Sequence, residues 1–439
     1  MVGKGTSAKS ACKLLKQNNI SVRHVASDSA FVALTKEKQD RLLCGLSFVV
    51  FSSGIPKRGE MYKMIRQKRL RVVDEIELAF GYENAPVVAV SGTNGKTTTT
   101  TLIYKCLCTK FQTLLGGNIG VPYAEHVQQP HEISVLEVSS YQLEKCTKFR
   151  PHIGVMCNIT PDHIAHHGSM EAYVEAKAKL FARQTKKDFA VLNADDAEVM
   201  RLQTKAQRYY FSLKKEVVGC FLQDGCIYFK DKHTTEPQKL IATSEIGLLG
   251  AHNIQNVMAC MVASYLAGVP WQNILSIVRS FRGVAHRLQH VLCVQGVTFY
   301  NDSKATNVAS SIVAMQAICA PKVVILGGSD KGFSFDDLFM FAPASVKAFV
   351  LTGEVAGRLE HSASAFSKAP FVRVPTLKQA VMQAWLLAEK GDCVLFSPAC
   401  ASFDAFKNYA QRGRMFCTYV RELKRDASKT IQEAENCTK

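Results

Sequence analysis

The segment Val87–Thr101 reads VVAVSGTNGKTTTTT. Four apolar residues, Val87–Val90, three of them valines of high strand propensity, run into Ser91-Gly92-Thr93-Asn94-Gly95-Lys96-Thr97-Thr98. A helical pattern follows over 98–109. A strand, a glycine-containing loop and a helix start constrain the chain more than any other feature. They call for a parallel sheet covered by helices, and they offer backbone N–H groups and a helix N-terminus to an anion. Gly92 and Gly95 permit the tight turn around Thr93 and Asn94. Lys96 can reach the β- and γ-phosphates of ATP, the Thr97 hydroxyl can ligate Mg²⁺, and Thr98 stands beside it. The spelling departs from the standard P-loop, which requires glycine where Val90 stands. The simpler reading of the same residues is a bare glycine turn.

The chain has 439 residues, enough for two to three domains. Apolar residues make up 47% and charged residues 21%, which excludes a disordered chain. The formal net charge of +17 suits acidic partners, including phosphorylated small molecules. Its densest patch, 57–71, places Met61, Met64 and Ile65 on one side, and reads as a solvated helix face rather than a nucleic-acid surface. The 15 cysteines contain no C-x-x-C pair, which argues against zinc or a disulfide framework and fits a reducing cytosol. No apolar signal segment is visible at the start. No run approaches the roughly 18 residues a membrane span needs, VMACMVASYLAGV at 257–269 being the longest candidate. A cytoplasmic protein with no membrane or nucleic-acid partner is expected.

Three stretches alternate strands with helices, so the fold class is α/β. Residues 1–80 open with GKGTSAKSACKLL, a glycine turn into a helix preceded by Met1-Val2 alone, and carry an apolar strand at 46–56. A lone Gly-x-Gly of this kind is a structural turn or a ligand loop. Residues 81–283 show strands at 87–90, 133–138, 153–158 and 189–193, helices at 98–109, 171–184 and 253–267, and an insert at 208–231 of antiparallel appearance. Residues 284–439 show strands at 297–303, 322–328, 348–353 and 393–399, each ending in small or polar residues. In open α/β sheets such ends carry the ligand groups.

The strand ends supply further candidates. Glu137 closes ISVLE, where a carboxylate could hold Mg²⁺, although an acid there is as easily structural. NITPDHIAHH gathers His163, His166 and His167 after a strand, as a site or as a polar loop. Asn253 and Asn256, three apart on one helix face, could bind or merely cap. Arg287 is a fork for phosphate or carboxylate, or an ion-pair partner. YNDSKATN (300–307) is too densely polar for an ordinary turn. Cys400 in SPACASFDAF has no visible histidine partner and is not expected to be a nucleophile. Lys177 and Lys179, in a helical pattern, would be surface residues on composition alone.

Taken together, GTNGKTT, GGNIG (116–120), LEVSSYQLE (136–144), NITPDH (158–163), GAHNIQN (250–256), DSKATN (302–307) and SPACASFDAF (397–406) resemble the Mur ligases. These enzymes form amide bonds with ATP in peptidoglycan precursor synthesis. The likeness runs along essentially the whole chain in order. The phosphate loop is shared with folylpolyglutamate synthase and cyanophycin synthetase, whereas DSKATN and SPACASFDAF match the branch that adds glutamate. The resemblance implies three domains: a Rossmann-like, UDP-substrate-binding 1–80, a P-loop ATPase-type 81–283, and a Rossmann-like, amino-acid-binding 284–439. It implies ATP and Mg²⁺, with UDP-N-acetylmuramoyl-L-alanine and D-glutamate as substrates of a monomer.

The resemblance also implies roles. Gly92–Thr98 would bind the ATP phosphates, with Lys96 catalytic and Thr97 on Mg²⁺. Glu137 would ligate the first Mg²⁺. His163 and a carbamylated Lys177, chosen over Lys179 by its spacing from Tyr173, would hold a second. Asn253, Arg287 and Asp302 would complete ATP binding. Asn118 would contact the muramoyl substrate and Ser7 the uridine nucleotide. Lys304, Thr306, Lys331, Ser402 and Tyr409 would form the glutamate side, and domain closure would shield an acyl phosphate. Ser53 stands where the family has proline. Three readings compete: a sister amide ligase with another substrate, a phosphotransferase or GTPase switch, and a silent anion-binding scaffold.

Overall fold

The computed structural model describes the chain except residues 53, 54, 56–58, 249, 331, 333, 438 and 439, and the side chains of Ala165 and 426–437. It forms two compact units, one of Met1–Gly247 with Ala251–Phe281, the other of Leu248–Gly250 with Arg282–Lys439.

In the first unit, strands β1 (Phe48–Val50) and β2 (Arg71–Val73) pair in parallel. Val2 bridges both Phe51 and Val25, so the strand before the first glycine turn is a single bridging residue. Gly3 has φ +132°, and a Cβ there would meet the Ser52 Cβ at 2.5 Å, so the turn admits only glycine. The helix Thr6–Gln17 buries Ala8, Ala11, Leu14 and Leu15, one stripe at helical spacing. Met61 and Ile65 are buried beneath the helix Glu60–Gln67, as its pattern implied, whereas Met64 is only partly buried.

Nine strands form the main sheet of this unit: β3 (Val87–Ser91), β4 (Thr113–Gly117), β5 (Ile133–Glu137), β6 (Ile153–Met156), β7 (Phe189–Asn193), β8 (Gln207–Ser212), β9 (Gly219–Gln223), β10 (Cys226–Lys230) and β11 (Gln238–Ala242). Their order is β11-β10-β9-β8-β7-β6-β3-β5-β4. β3 is central. The chain leaves it for the edge at β4, returns to β5, then crosses to β6 on its other side. That reversal opens a crevice at the carboxyl ends, where the phosphate loop emerges. β4 escapes the sequence pattern because it ends in two glycines. The insert at 208–231 is only partly antiparallel. β8 runs parallel to β7 and β9, the connection from β7 crossing over through the helix Ala197–Met200, and only β9–β10 and β10–β11 are antiparallel. The helix expected over 171–184 spans Met170–Ala178, its cap at Lys179 giving way to turns.

In the second unit the order is β12 (Gln289–Val294), β13 (Val297–Asn301), β17 (Cys393–Phe396), β14 (Lys322–Gly327), β15 (Val346–Thr352) and β16 (Phe371–Arg373). Only β12 is antiparallel, a hairpin partner of β13. Buried apolar clusters cover both faces of the parallel strands, as both-faced burial requires. Among the described residues, every cysteine is free and no helix is long and apolar enough to cross a membrane. The apolar run at 257–269 lies mostly within the helix Ala251–Leu266, whose residues Val257–Ser264 are all buried.

Glu75 opens the helix Glu75–Phe80 and is fully buried. One of its oxygens accepts the Ala124 N–H, and Oε2 has no partner. Burial, with the Asp74 charge adding, pushes it from 4.5 up to about 8. A carboxyl raised in the folded state contributes stability that is complete below its ordinary range and is lost as pH rises through about 8. The loss is on the order of a few kcal/mol. Glu75→Gln is therefore expected to flatten the fall in the urea midpoint between about pH 5 and 8; an unchanged slope would show that Glu75 does not titrate there.

Candidate active site

The phosphate loop is braced before any ligand arrives. The Thr93 N–H donates to Asn158 O at 2.9 Å and the Asn94 N–H to Asn158 Oδ1 at 2.8 Å. The Lys96 Nζ donates to Gly92 O and Thr93 O, both at 2.7 Å, folding its charge back over the loop. Gly95 has φ +82°, and a Cβ there would sit 2.2 Å from Asn256 Oδ1, so only glycine fits. Asn256 also accepts from the Thr99 hydroxyl at 3.3 Å and donates to Asn253 Oδ1 at 3.1 Å. The two asparagines share one helix face and pack under the loop. The threonine run is tolerated because Thr100 and Thr101 return hydroxyl bonds to the carbonyls of Lys96 and Thr97.

Glu137 pairs in register with Val90, so its carboxylate lies at the same sheet end as the loop. It is buried; Oε1 accepts from Asn118 Nδ2 at 2.8 Å, while Oε2 has no partner. A buried carboxylate oxygen left open beside a phosphate loop fits a hard cation such as Mg²⁺. Thr97, buried in the first helical turn, adds a hydroxyl oxygen of the kind Mg²⁺ prefers.

His163 adopts a left-handed conformation with φ 55°, and its Nε2 stands 3.4 Å from Asp162 Oδ2. Burial lowers its pKa, and the charges of Lys96 and Lys177 act the same way, so the neutral ring is favoured. Lys177 is buried, with 1% of its surface exposed, its Nζ 4.8 Å from the centre of the Tyr173 ring. Burial holds its ammonium well below the usual lysine range, helped by Lys96. Lys179 instead donates to Glu144 O and is only half-buried. Tyr173 is a residue that the sequence offered only as spacing. Its hydroxyl lies 2.9 Å from Thr93 Oγ1, so it ties the phosphate loop to the helix bearing Lys177. Ser7 sits partly exposed in the first turn of the helix Thr6–Gln17.

In the second unit, the ends of β13, β17 and β14 gather the polar residues of three loops. Asp302 is buried, accepting from Ser397 Oγ at 2.8 Å and the Leu288 N–H at 3.1 Å. Burial pushes its carboxyl up to about 6, against the pull of those bonds and of Arg287. The Arg287 Nε is buried without a partner. Lys304 Nζ stands 5.9 Å from the centre of the Tyr409 ring, and Ser402 is buried. Thr306 lies partly exposed in the loop after Asp302. Lys331 lies outside the described residues, as does Ser53. Cys400 is buried, in keeping with a packing role. The sequence did not reveal Arg412, which is 2% exposed. Its guanidinium donates to the carbonyls of Ser303, Cys400 and Ala401 and to Ser303 Oγ, locking the DSKATN and SPACAS loops together.

A braced phosphate loop, an open buried carboxylate and a deprotonable buried lysine, on parallel sheets, define a nucleotide-using α/β enzyme. A family model for the Mur ligase middle domain matches residues 90–264, and one for the Mur ligase glutamate ligase domain matches 286–400. The UDP-N-acetylmuramoylalanine--D-glutamate ligase of Thermoanaerobacter pseudethanolicus is 37% identical over 420 residues, covering 94% of this chain and 91% of that protein. The protein of the same description from a Geobacillus species is 38% identical, covering 97% of both chains. Among solved structures, the UDP-N-acetylmuramate-alanine ligase MurC of Thermotoga maritima superposes with a TM-score of 0.60 at 18% identity, covering 96% of this chain and 99% of that one. The MurF ligase of Thermotoga maritima in complex with ADP gives 0.56 at 18% identity, covering 86% and 96%. The chain belongs to the Mur ligase family, the ATP-dependent ligases of peptidoglycan precursor synthesis.

Proposed function

We propose that the chain joins D-glutamate to UDP-N-acetylmuramoyl-L-alanine, with release of ADP and phosphate, as a cytoplasmic monomer. The observation that carries this reading beyond nucleotide binding is Lys177, a fully buried amine beside the Tyr173 ring whose charged form is disfavoured by burial and by Lys96. A neutral amine can take up CO₂, forming an N–C bond and losing a proton, and the resulting carbamate is an anionic oxygen ligand. A phosphotransferase switch has no use for such a group. The relatives supply the substrate names. We read three domains within the two units, 1–80 for the uridine nucleotide through Ser7, 81–283 for ATP and 284–439 for glutamate.

A carboxylate is a poor electrophile, so the γ-phosphoryl group of ATP passes to a carboxylate oxygen of the muramoyl substrate. The P–O bond to ADP breaks as the acyl phosphate forms. The glutamate amine then attacks the carbonyl carbon, loses a proton, and phosphate leaves. Lys96 exchanges its loop carbonyls for the phosphates, and the N–H groups of Gly92–Thr98 cradle them. Thr97 and Glu137 would hold one Mg²⁺, and His163 with the Lys177 carbamate a second. Bound there, the metal would supply positive charge to offset that of two approaching anions. Asn118 orients the muramoyl carboxylate. Lys304, Thr306, Lys331 and Ser402 hold the two glutamate carboxylates by charge-assisted bonds, with Tyr409 alongside. Asn253 and Arg287 support the nucleotide, and Asp302 accepts from its ribose hydroxyls.

Protonation of Asp302 removes that acceptor. The KM for ATP is expected to rise as pH falls through about 6, and Asp302→Asn to show a raised KM without the step. A pH–KM profile of both proteins checks this. For the substrate assignment, phosphate release with ATP, Mg²⁺ and UDP-N-acetylmuramoyl-L-alanine is compared across D-glutamate, L-glutamate, L-alanine and a diamino acid. Release with D-glutamate alone supports the reading; release with another member of the panel alone moves the chain to a sister ligase.

A further inference from the structure

Beside the catalytic segment lies a cluster that none of the steps above uses. Glu144 follows the short helix Ser140–Leu143, and His166 and His167 end the short helix Ile164–His167. One ring nitrogen of each histidine and one Glu144 carboxylate oxygen all lie within 4.8 Å of one another, and all three residues are partly buried. His166 Nε2 is already 3.1 Å from Glu144 Oε2. Ligands of a tetrahedral Zn²⁺ at ordinary bond lengths stand about 3.4 Å apart. The third donor therefore needs to approach by at most about 1.4 Å, within the reach of ordinary side-chain rotation. The two imidazoles are nearly perpendicular, at 83°, with centres 4.8 Å apart. The Tyr141 ring packs against both, at 4.1 and 5.6 Å. Ser140 Oγ lies 3.0 Å from His167 Nε2, a polar neighbour of the kind that orients a ligating ring.

We infer that Glu144, His166 and His167 form a binding site for a borderline-soft divalent cation such as Zn²⁺, distinct from the oxygen-rich site of Glu137 and Thr97. The chemistry of the donors separates the two. Two imidazoles and one carboxylate suit Zn²⁺ and leave a fourth position for water, whereas Mg²⁺ prefers oxygen ligands in an octahedron. The cluster is independent of the ligase reading, because none of its three residues is assigned to ATP or to either substrate.

The full chain, stripped of metal and held in millimolar Mg²⁺, is titrated with Zn²⁺ against a chromophoric chelator. Co²⁺ is added in a parallel series to record the visible bands of a tetrahedral site. His166→Gln and Glu144→Gln test the site, and His163→Gln tests the neighbouring residue assigned to Mg²⁺. Wild type is expected to bind a single tight equivalent, His166→Gln and Glu144→Gln each to weaken it about tenfold or more, and His163→Gln to retain it. No tight equivalent in wild type, less than that weakening in either variant, or loss of Zn²⁺ on His163→Gln overturns the inference. The last outcome would place the cation in the Mg²⁺ centre instead.

Discussion

Lys96→Ala is expected to lower kcat by on the order of 10³-fold while the fold survives. Lys96 stands at the first position of the helix that follows the phosphate loop, its Nζ folded over Gly92 O and Thr93 O. Without it, phosphoryl transfer between two anions loses charge compensation that water does not replace. The structural penalty is smaller. The two bonds from Nζ to Gly92 O and Thr93 O are lost, at about 1 kcal/mol each. Asn158 and Tyr173 still brace the loop. Steady-state kinetics alongside a urea melt separate the two effects. An Ala variant retaining wild-type kcat would remove Lys96 from the chemistry and revive a purely structural loop.

Lys177→Ala is expected to lose roughly a hundredfold or more in kcat and to regain part of it when acetate or formate is added. The small acid would enter the space vacated by the side chain and supply the anionic oxygens that the proposed carbamate would provide. Lys179→Ala should need no such rescue, since Lys179 donates to the backbone of Glu144 instead. A fully active Lys177→Ala protein, or rescue specific to the Lys179 variant, would overturn the assignment.

Lys177 also shows where sequence reading stops. Composition places a helical lysine in water, and nothing local to MEAYVEAKA says otherwise. Its burial follows from a helix of only nine residues that turns Tyr173, Ala176 and Lys177 inward. Tyr173 reaches Thr93, a contact 80 residues apart in sequence, and only the sheet order brings the two together. The phosphate loop, by contrast, was legible, because its glycines, lysine and flanking strand act on one another within a dozen residues. The strand ends were legible for the same reason, and Asp302 and Ser397 do meet at the carboxyl ends of the neighbouring strands β13 and β17. Arg412 was hidden because most of its acceptors are backbone carbonyls, which leave no side-chain pattern to read, and because Ser303 lies 109 residues away in sequence. The parallel pairing of β8 was missed because aromatic alternation alone does not state direction.

The central claim is that a carboxylate is activated by phosphoryl transfer from ATP. The most direct measurement starts from UDP-N-acetylmuramoyl-L-alanine carrying ¹⁸O in its alanyl carboxylate. The chain is supplied with ATP, Mg²⁺ and D-glutamate, and the released phosphate is examined by mass spectrometry. One ¹⁸O per phosphate, formed in step with the amide product, is the expected result. Phosphate containing only ¹⁶O, or AMP and pyrophosphate in place of ADP and phosphate, would contradict an acyl-phosphate route.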